Sequence, residues 1–150
     1  MHKSTCKPCA ENAKKKAYLT FHLSPMVNQE IKRGDIYYAH LNPIIGSEQG
    51  STRPCLVIQN NLGNQHSPTV VIVPLTSSKK AFLPTHVRIV RAGTLVSDST
   101  ALCEHVRTID RKRLNGYIGR IDEGTQAAVD AALAVSVGLE KIGGQENEDN

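Results

Sequence analysis

The run Thr69-Val-Val-Ile-Val-Pro-Leu-Thr76 is the strongest strand-forming segment in the chain, and it constrains the fold more than any other feature. Its β-branched residues favour extended backbone. Pro74, however, has no N–H to offer a neighbouring strand, so the run is expected at a sheet edge or with a bulge at the proline. Other short segments of the same kind surround it. They are Ile36-Tyr-Tyr-Ala-His-Leu41, which ends at the turn pair Asn42-Pro43, then Cys55-Leu-Val-Ile-Gln59, the alternating His86-Val-Arg-Ile-Val90, and Tyr117-Ile-Gly-Arg-Ile121. Thr100–Ile109 is long enough for one strand or two short ones. Polar loops bearing Gly and Pro separate these runs, and Asn60–Pro68 reads as a loop with room for a helical turn. The period changes only near the end. Val129, Ala132, Leu133 and Val137 follow i, i+3, i+4, i+8, one stripe of a helix between Glu123 and Leu139. Glu123 suits the positive end of the helix dipole, and Gly143-Gly144 is the expected stop. The pattern predicts a mainly β fold: a small, strongly bent β-barrel with a C-terminal helix packed on it.

A chain of 150 residues suits one domain with a core that needs no disulfides. Residues 1–30 show neither alternation nor a helical stripe and read as a poorly ordered extension. The domain is expected over 31–140, with an acidic, disordered tail over 141–150. Met26, just before the first patterned segment, marks an alternative start. Cys6-x-x-Cys9 has no partner pair at metal-ligand spacing and reads as an exposed pair in the extension. Cys55 and Cys103 fall inside strand patterns and read as small core residues. Four cysteines without regular spacing, no secretory signal and no apolar run of ~18 residues point to a cytoplasmic protein that spans no membrane. Residues 31–139 carry twelve Lys and Arg against eight Asp and Glu, net +4, and most of the cations are arginines. Arginine forks onto phosphate in two-point contacts, so a polyanion partner is favoured.

The most informative loop is Gly46–Pro54, polar, bounded by glycines and ending in Arg53-Pro54. The proline disfavours helical backbone at Arg53, so the sheet is expected to aim this side chain. Past the strongest strand come Thr76-Ser-Ser-Lys-Lys80, hydroxyls followed by cations. That order suits phosphate contacts and equally suits a solvated turn. Histidines 22, 40, 66, 86 and 105 are scattered without metal-ligand spacing, so no metal and no cofactor is expected. His86, beside a polar loop, and His105, next to Glu104, are the two with a possible site role. No phosphate-binding glycine fingerprint and no nucleophile elbow is present.

Several motifs then come in a telling order: Lys32-Arg-Gly-Asp-Ile-Tyr-Tyr-Ala39, Gly46-Ser-Glu-Gln-Gly-Ser-Thr-Arg-Pro54, Leu56-Val-Ile-Gln-Asn60, Leu83-Pro-Thr-His-Val87 and Val106-Arg-Thr-Ile-Asp-Arg-Lys-Arg-Leu114. In order and spacing this resembles the MazF/PemK family of toxins, sequence-specific endoribonucleases of type II toxin–antitoxin pairs. The resemblance spans residues 31–140 and leaves the first thirty outside. It implies an SH3-like barrel with a C-terminal helix, a homodimer, and metal-independent cleavage of single-stranded RNA. In that chemistry the ribose 2′-hydroxyl attacks, leaving a 2′,3′-cyclic phosphate and a 5′-hydroxyl. The resemblance makes Arg53 and Thr76 the catalytic pair. Glu104 stands where one branch carries a catalytic acidic residue, and serves either as base or to orient Arg53. Implied substrate contacts are Ser47, Glu48 and Gln49 in the first loop and Leu83, Thr85, His86 and Ser99 on the other wall. His105 stands where close relatives carry Gln, a departure at a base-reading position. The implied protein partner is a MazE-like antitoxin with a disordered acidic segment, and DNA is contacted only through that complex. The acidic tail after Gly144 is a second candidate for the same basic groove. The alternative is a non-enzymatic toxin on the related CcdB-like fold that inhibits a topoisomerase, a branch not expected to keep the Arg-Pro and Thr pair together.

Overall fold

A computed structural model describes residues 30–140. The expected extension with Met26 and Cys6-x-x-Cys9, and the expected tail with Gly143-Gly144, lie outside the described residues. The strands form where the apolar runs lie: β1 (Asp35–His40), β2 (Thr52–Val57), β3 (Thr69–Thr76), β4 (His86–Ile89), β5 (Ser99–Leu102), β6 (Arg107–Asp110) and β7 (Leu114–Arg120). The Asn60–Pro68 loop holds a short helix, α1 (Asn61–His66), a 3-10 turn spans Arg111–Arg113, and α2 covers Glu123–Ser136. Thr100–Ile109 is thus two strands, β5 and β6, and not one.

All strand pairs are antiparallel, in the order β4-β5-β3-β2-β1-β7, with β6 also on β3. β3 is therefore not an edge strand, and its register with β2 runs without a break through Val73 and Pro74. On one side it pairs with β2, Cys55 opposite Pro74 and Val57 opposite Ile72. On the other, residues 69–72 pair with β6 and residues 75–76 with β5. The carbonyl of Val71 faces the β2 side, where it accepts from Ile58 and Gln59. Alternation then points the Pro74 nitrogen to the opposite side, at the point where the partner changes from β6 to β5. The missing N–H falls where no ladder bond is made.

The central strands are buried on both faces, which is why they read as continuous apolar runs. Ile36, Leu56, Val73 and Leu75 face one way, into a core with Val87, Ile89, Ala101 and, from α2, Val129 and Ala132. Tyr37, Cys55, Val57, Val70 and Ile72 face the other way, against Leu41, Ile109 and Leu114. Each such large side chain contributes roughly 1.5–3 kcal/mol by leaving water. The Lys32-Arg-Gly-Asp motif is scaffold. The buried Asp35 carboxylate accepts from Arg120 Nε at 2.9 Å and from the Lys32 N–H at 2.8 Å, and Arg33 reaches Asp130 on α2 at 2.5 Å.

Helix α2 begins at Asp122, whose side chain accepts from the Thr125 N–H at 2.7 Å. It stops at Gly138, earlier than the glycine pair expected to end it. Gly138 takes φ +75°, and the N–H groups of Gly138 and Leu139 turn back to the carbonyls of Val135 and Ala134. A left-handed residue after the last turn satisfies otherwise orphaned carbonyls, and glycine adopts it without steric cost.

The barrel closes through the segment after β4. Thr94 donates to the Ile118 carbonyl of β7 from its N–H at 2.9 Å and from its hydroxyl at 3.2 Å. Gly93 and Gly119 make this approach possible, since a Cβ at Gly93 would sit 2.1 Å from the Ile118 oxygen. Gly93 also has φ +56°. Gly93→Ala is expected to destabilise the protein by more than the roughly 1–3 kcal/mol of left-handed strain alone, read as a lower urea midpoint. An unchanged midpoint would show that the closure tolerates a side chain.

Candidate active site

The loop between β1 and β2 is built to hold one guanidinium. Its base is closed by the Leu41 N–H on the Ser51 carbonyl and by the Ser51 N–H on the Asn42 side chain, both at 3.0 Å. Ser51 has φ 61°, a left-handed conformation uncommon outside glycine that turns the chain into β2. Arg53 lies in β2 with its backbone extended opposite Ala39, consistent with the limit Pro54 sets on it. The sheet does not aim the side chain alone, however. Arg53 Nε donates to the Gly50 carbonyl at 2.7 Å, Nη1 donates to the Gln49 side-chain oxygen, and Nη2 lies 3.4 Å from the Ser51 hydroxyl. Three of five N–H groups are engaged by the loop itself, and two remain.

Thr76 ends β3, is 9% exposed, and accepts from the Ser78 N–H at 3.3 Å. Its own hydroxyl proton stays available to a ligand. The β2–β3 ladder ends at the pair Cys55–Pro74, and Arg53 and Thr76 each lie two residues beyond it. Both line one open cavity of about 530 Å³ with Gln49, Ser77, Lys80 and Ser99. The resemblance-derived pair is thus brought together among hydroxyls and a cation. Ser99 is buried and already donates its hydroxyl to the Ser97 carbonyl.

A second cavity of about 400 Å³ meets the first at Gln49 and is lined by Glu48, Glu104, His105, Arg107 and Pro74. Glu104 does not orient Arg53; Gln49 and Gly50 do. The Glu104 carboxylate instead lies 2.8 Å from His86 Nε2, while His86 Nδ1 lies 3.0 Å from the Ala81 carbonyl. Partial burial acts to raise the Glu104 pKa. It is outweighed by its own backbone N–H, by the side chains of His86 and Thr85, and by the His86 charge, leaving it below the usual carboxylate value. His105 lies 3.8 Å from the same carboxylate. Glu48 partly serves its own loop, accepting from the Ile45 N–H at 3.2 Å.

A third cavity of about 600 Å³ is lined by His86 and Ser99 together with Lys79, Lys80 and Phe82. Ser47, Leu83 and Thr85 line none of these three; Ser47 and Leu83 are exposed, and Thr85 is half-buried. Arg107 was not among the expected contacts. It lines the second cavity with a buried Nη1 that has no protein partner. Its place in the Val106–Leu114 motif was the available signal. The expectation that the arginines serve phosphate is corrected for several of them. Arg33, Arg88 and Arg120 pair with Asp130, Asp98 and Asp35, while Arg111 and Arg113 donate to backbone carbonyls. Cys55 and Cys103 are buried, and burial pushes each thiol up to about 12, so they stay protonated core residues.

A bent barrel with a terminal helix and an Arg–Thr cavity between adjacent strands defines a class as well as a shape. The chain belongs to the PemK-like, MazF-like toxins of type II toxin–antitoxin systems, whose family model matches residues 32–137. It is 47% identical to the endoribonuclease EndoA of Bacillus subtilis over 111 residues, 73% of this chain and 96% of that protein. It is 46% identical to the endoribonuclease MazF of Staphylococcus epidermidis, over 73% of this chain and 92% of the relative. Among solved structures, MazF of Deinococcus radiodurans matches with a TM-score of 0.65 at 27% identity, covering 74% of this chain and 99% of that one. A mycobacterial endoribonuclease in complex with its cognate antitoxin matches with a TM-score of 0.63 at 26% identity, over 75% and 99% of the two chains.

The Glu104–His86 pair carries a pH signature. A carboxylate whose pKa is lowered by folding contributes stability that is complete above the unfolded value and is lost as pH falls through the folded one. Glu104→Gln is therefore expected to lower the urea midpoint at neutral pH and to flatten its decline below about pH 5. Parallel curves for the two proteins would remove this role.

Proposed function

We propose that this chain is the RNA-cleaving toxin of its toxin–antitoxin pair, cutting single-stranded mRNA in the cytoplasm at the cavity that holds Arg53 and Thr76. The observation that carries this reading is the shared cavity: a guanidinium with two unspent N–H groups and a hydroxyl donor, on adjacent strands, beside Lys80. The endoribonuclease names of the two close relatives support it.

The chemistry suits these side chains. The ribose 2′-oxygen forms a bond to phosphorus, the bond to the 5′-oxygen breaks, and the 2′ proton ends on that leaving oxygen. The products are a 2′,3′-cyclic phosphate and a 5′-hydroxyl. Negative charge gathers on the phosphorane oxygens between these events, where pre-placed donors lower the barrier most. A guanidinium stays charged throughout the physiological range, so Arg53 is assigned charge stabilisation. Thr76 adds a neutral donor, and Gln49 positions Arg53. Glu104, bonded to His86 in the adjoining cavity, is assigned with Glu48, His105 and Arg107 to base edges. Ser47, Leu83 and Thr85 remain assigned to the flanking loops that an RNA strand passes. The active domain spans residues 31–140 and works as a homodimer. Its antitoxin inserts an acidic segment into the same groove and supplies any DNA contact. Solved relatives bound to antitoxins support the pairing.

Arg53→Ala and Thr76→Ala are each expected to lower kcat on single-stranded RNA by about 10²–10³-fold, the usual loss for one transition-state donor. The assay uses purified protein in chelator. Equal activity in parent and both variants would remove the pair.

A further inference from the structure

The loop from Ser77 to Thr85 presents a side chain that the catalytic reading leaves unused. Phe82 is 88% exposed, in a chain with 4% aromatic residues and no Trp. Among the other described aromatics the most exposed is Tyr117, at 38%. Tyr37 is buried, Tyr38 is half-buried, and Tyr117 packs edge-on against Tyr37 with ring centroids 5.3 Å apart. A lone exposed apolar residue is ordinary on a protein surface. Phe82 is not alone. It lines the 600 Å³ cavity with Lys79 and Lys80, and Ser77, Ser78, Lys80 and Ser99 of that cavity also line the Arg53–Thr76 cavity. The Phe82 cavity and the Arg53–Thr76 cavity thus share a wall of hydroxyls and one ammonium group.

The platform is also held in place. The residues on either side of Phe82 are tied to β4: the Ala81 carbonyl accepts from His86 Nδ1 at 3.0 Å, and the Leu83 carbonyl accepts from the His86 N–H at 2.9 Å. A pre-ordered aromatic loses less conformational freedom when a ligand arrives. A ring beside two ammonium groups supplies both contacts a single strand needs, a π face for a base and cations for its phosphates.

We propose that Phe82 is the stacking platform for a nucleobase next to the scissile phosphate, with Lys79 and Lys80 on the flanking phosphates. Every base has a π face, so this subsite adds affinity without choosing sequence. It rests on the ribonuclease reading above.

The test uses the full chain and a single-stranded RNA that carries its mapped cleavage site, with deoxyribose at the scissile residue to remove the nucleophile. Phe82→Ala is expected to raise Kd by about 5- to 150-fold, matching the roughly 1–3 kcal/mol of one base–aromatic stack. Phe82→Tyr and Phe82→Trp restore binding, whereas Phe82→Leu, apolar but without a π face, does not. The Phe82→Trp indole is the only one in the chain. Its fluorescence should quench on RNA binding and recover when one particular nucleotide beside the scissile phosphate is made abasic. Unchanged affinity in Phe82→Ala, or rescue by Phe82→Leu, overturns the proposal. So does a Phe82→Ala protein that keeps RNA affinity and instead loses affinity for an acidic antitoxin peptide. Cleavage of all-ribose RNA by the parent separates the two levels. An inactive parent overturns the ribonuclease reading, and an active parent indifferent to Phe82 overturns the stacking subsite alone.

Discussion

A guanidinium has five N–H groups in a rigid fork, and the loop before β2 engages three of those at Arg53. The remaining geometry serves that placement. Between Gly50 and Arg53 the chain turns left-handed at Ser51, which is bonded to Leu41 and Asn42. Asn42 is tied in turn: Arg113 donates to the carbonyls of Asn42 and His40 at 2.7 and 3.2 Å. A distant basic motif thus acts as scaffold for the catalytic candidate. Its neighbour Arg111 does similar work on the Asn64 and Ser67 carbonyls.

β3 sets the second half of the site. Because it pairs with β2 along one side and with β6 and then β5 along the other, its far side has a gap at Pro74. The turn between β5 and β6 carries Glu104 and His105 over that gap, and Pro74 lines the cavity they form. The proline gives up no ladder bond there. A residue that reads locally as a disruption marks the junction between two partner strands, and Glu104 and His105 line the recess at that junction.

Net charge also takes a different meaning in three dimensions. Five of the domain's arginines are engaged with carboxylates or carbonyls. The cations that line the cavities are Arg53, Lys79, Lys80, Arg88 and Arg107, and Arg88 is paired with Asp98. The positive charge left unpaired in the described residues is therefore a local property of these recesses, smaller than the count of basic residues suggests.

Strand positions, the terminal helix and the Arg53–Pro54 junction were legible in the chain itself, since β-branched runs, a 3.6-residue stripe and a proline's limits on its predecessor act within a few residues. So were the motifs that relate the chain to its family. The two-sided pairing of β3, the helix stop at Gly138, the closure of Gly93 on Gly119 and the Glu104–His86 pair were not. Apart from the helix stop, each joins groups far apart in sequence, and a local pattern records that a donor exists without recording its acceptor. Residue chemistry was written locally; which atoms spend their hydrogen bonds on the scaffold, and which are left for a ligand, was settled only when the barrel closed.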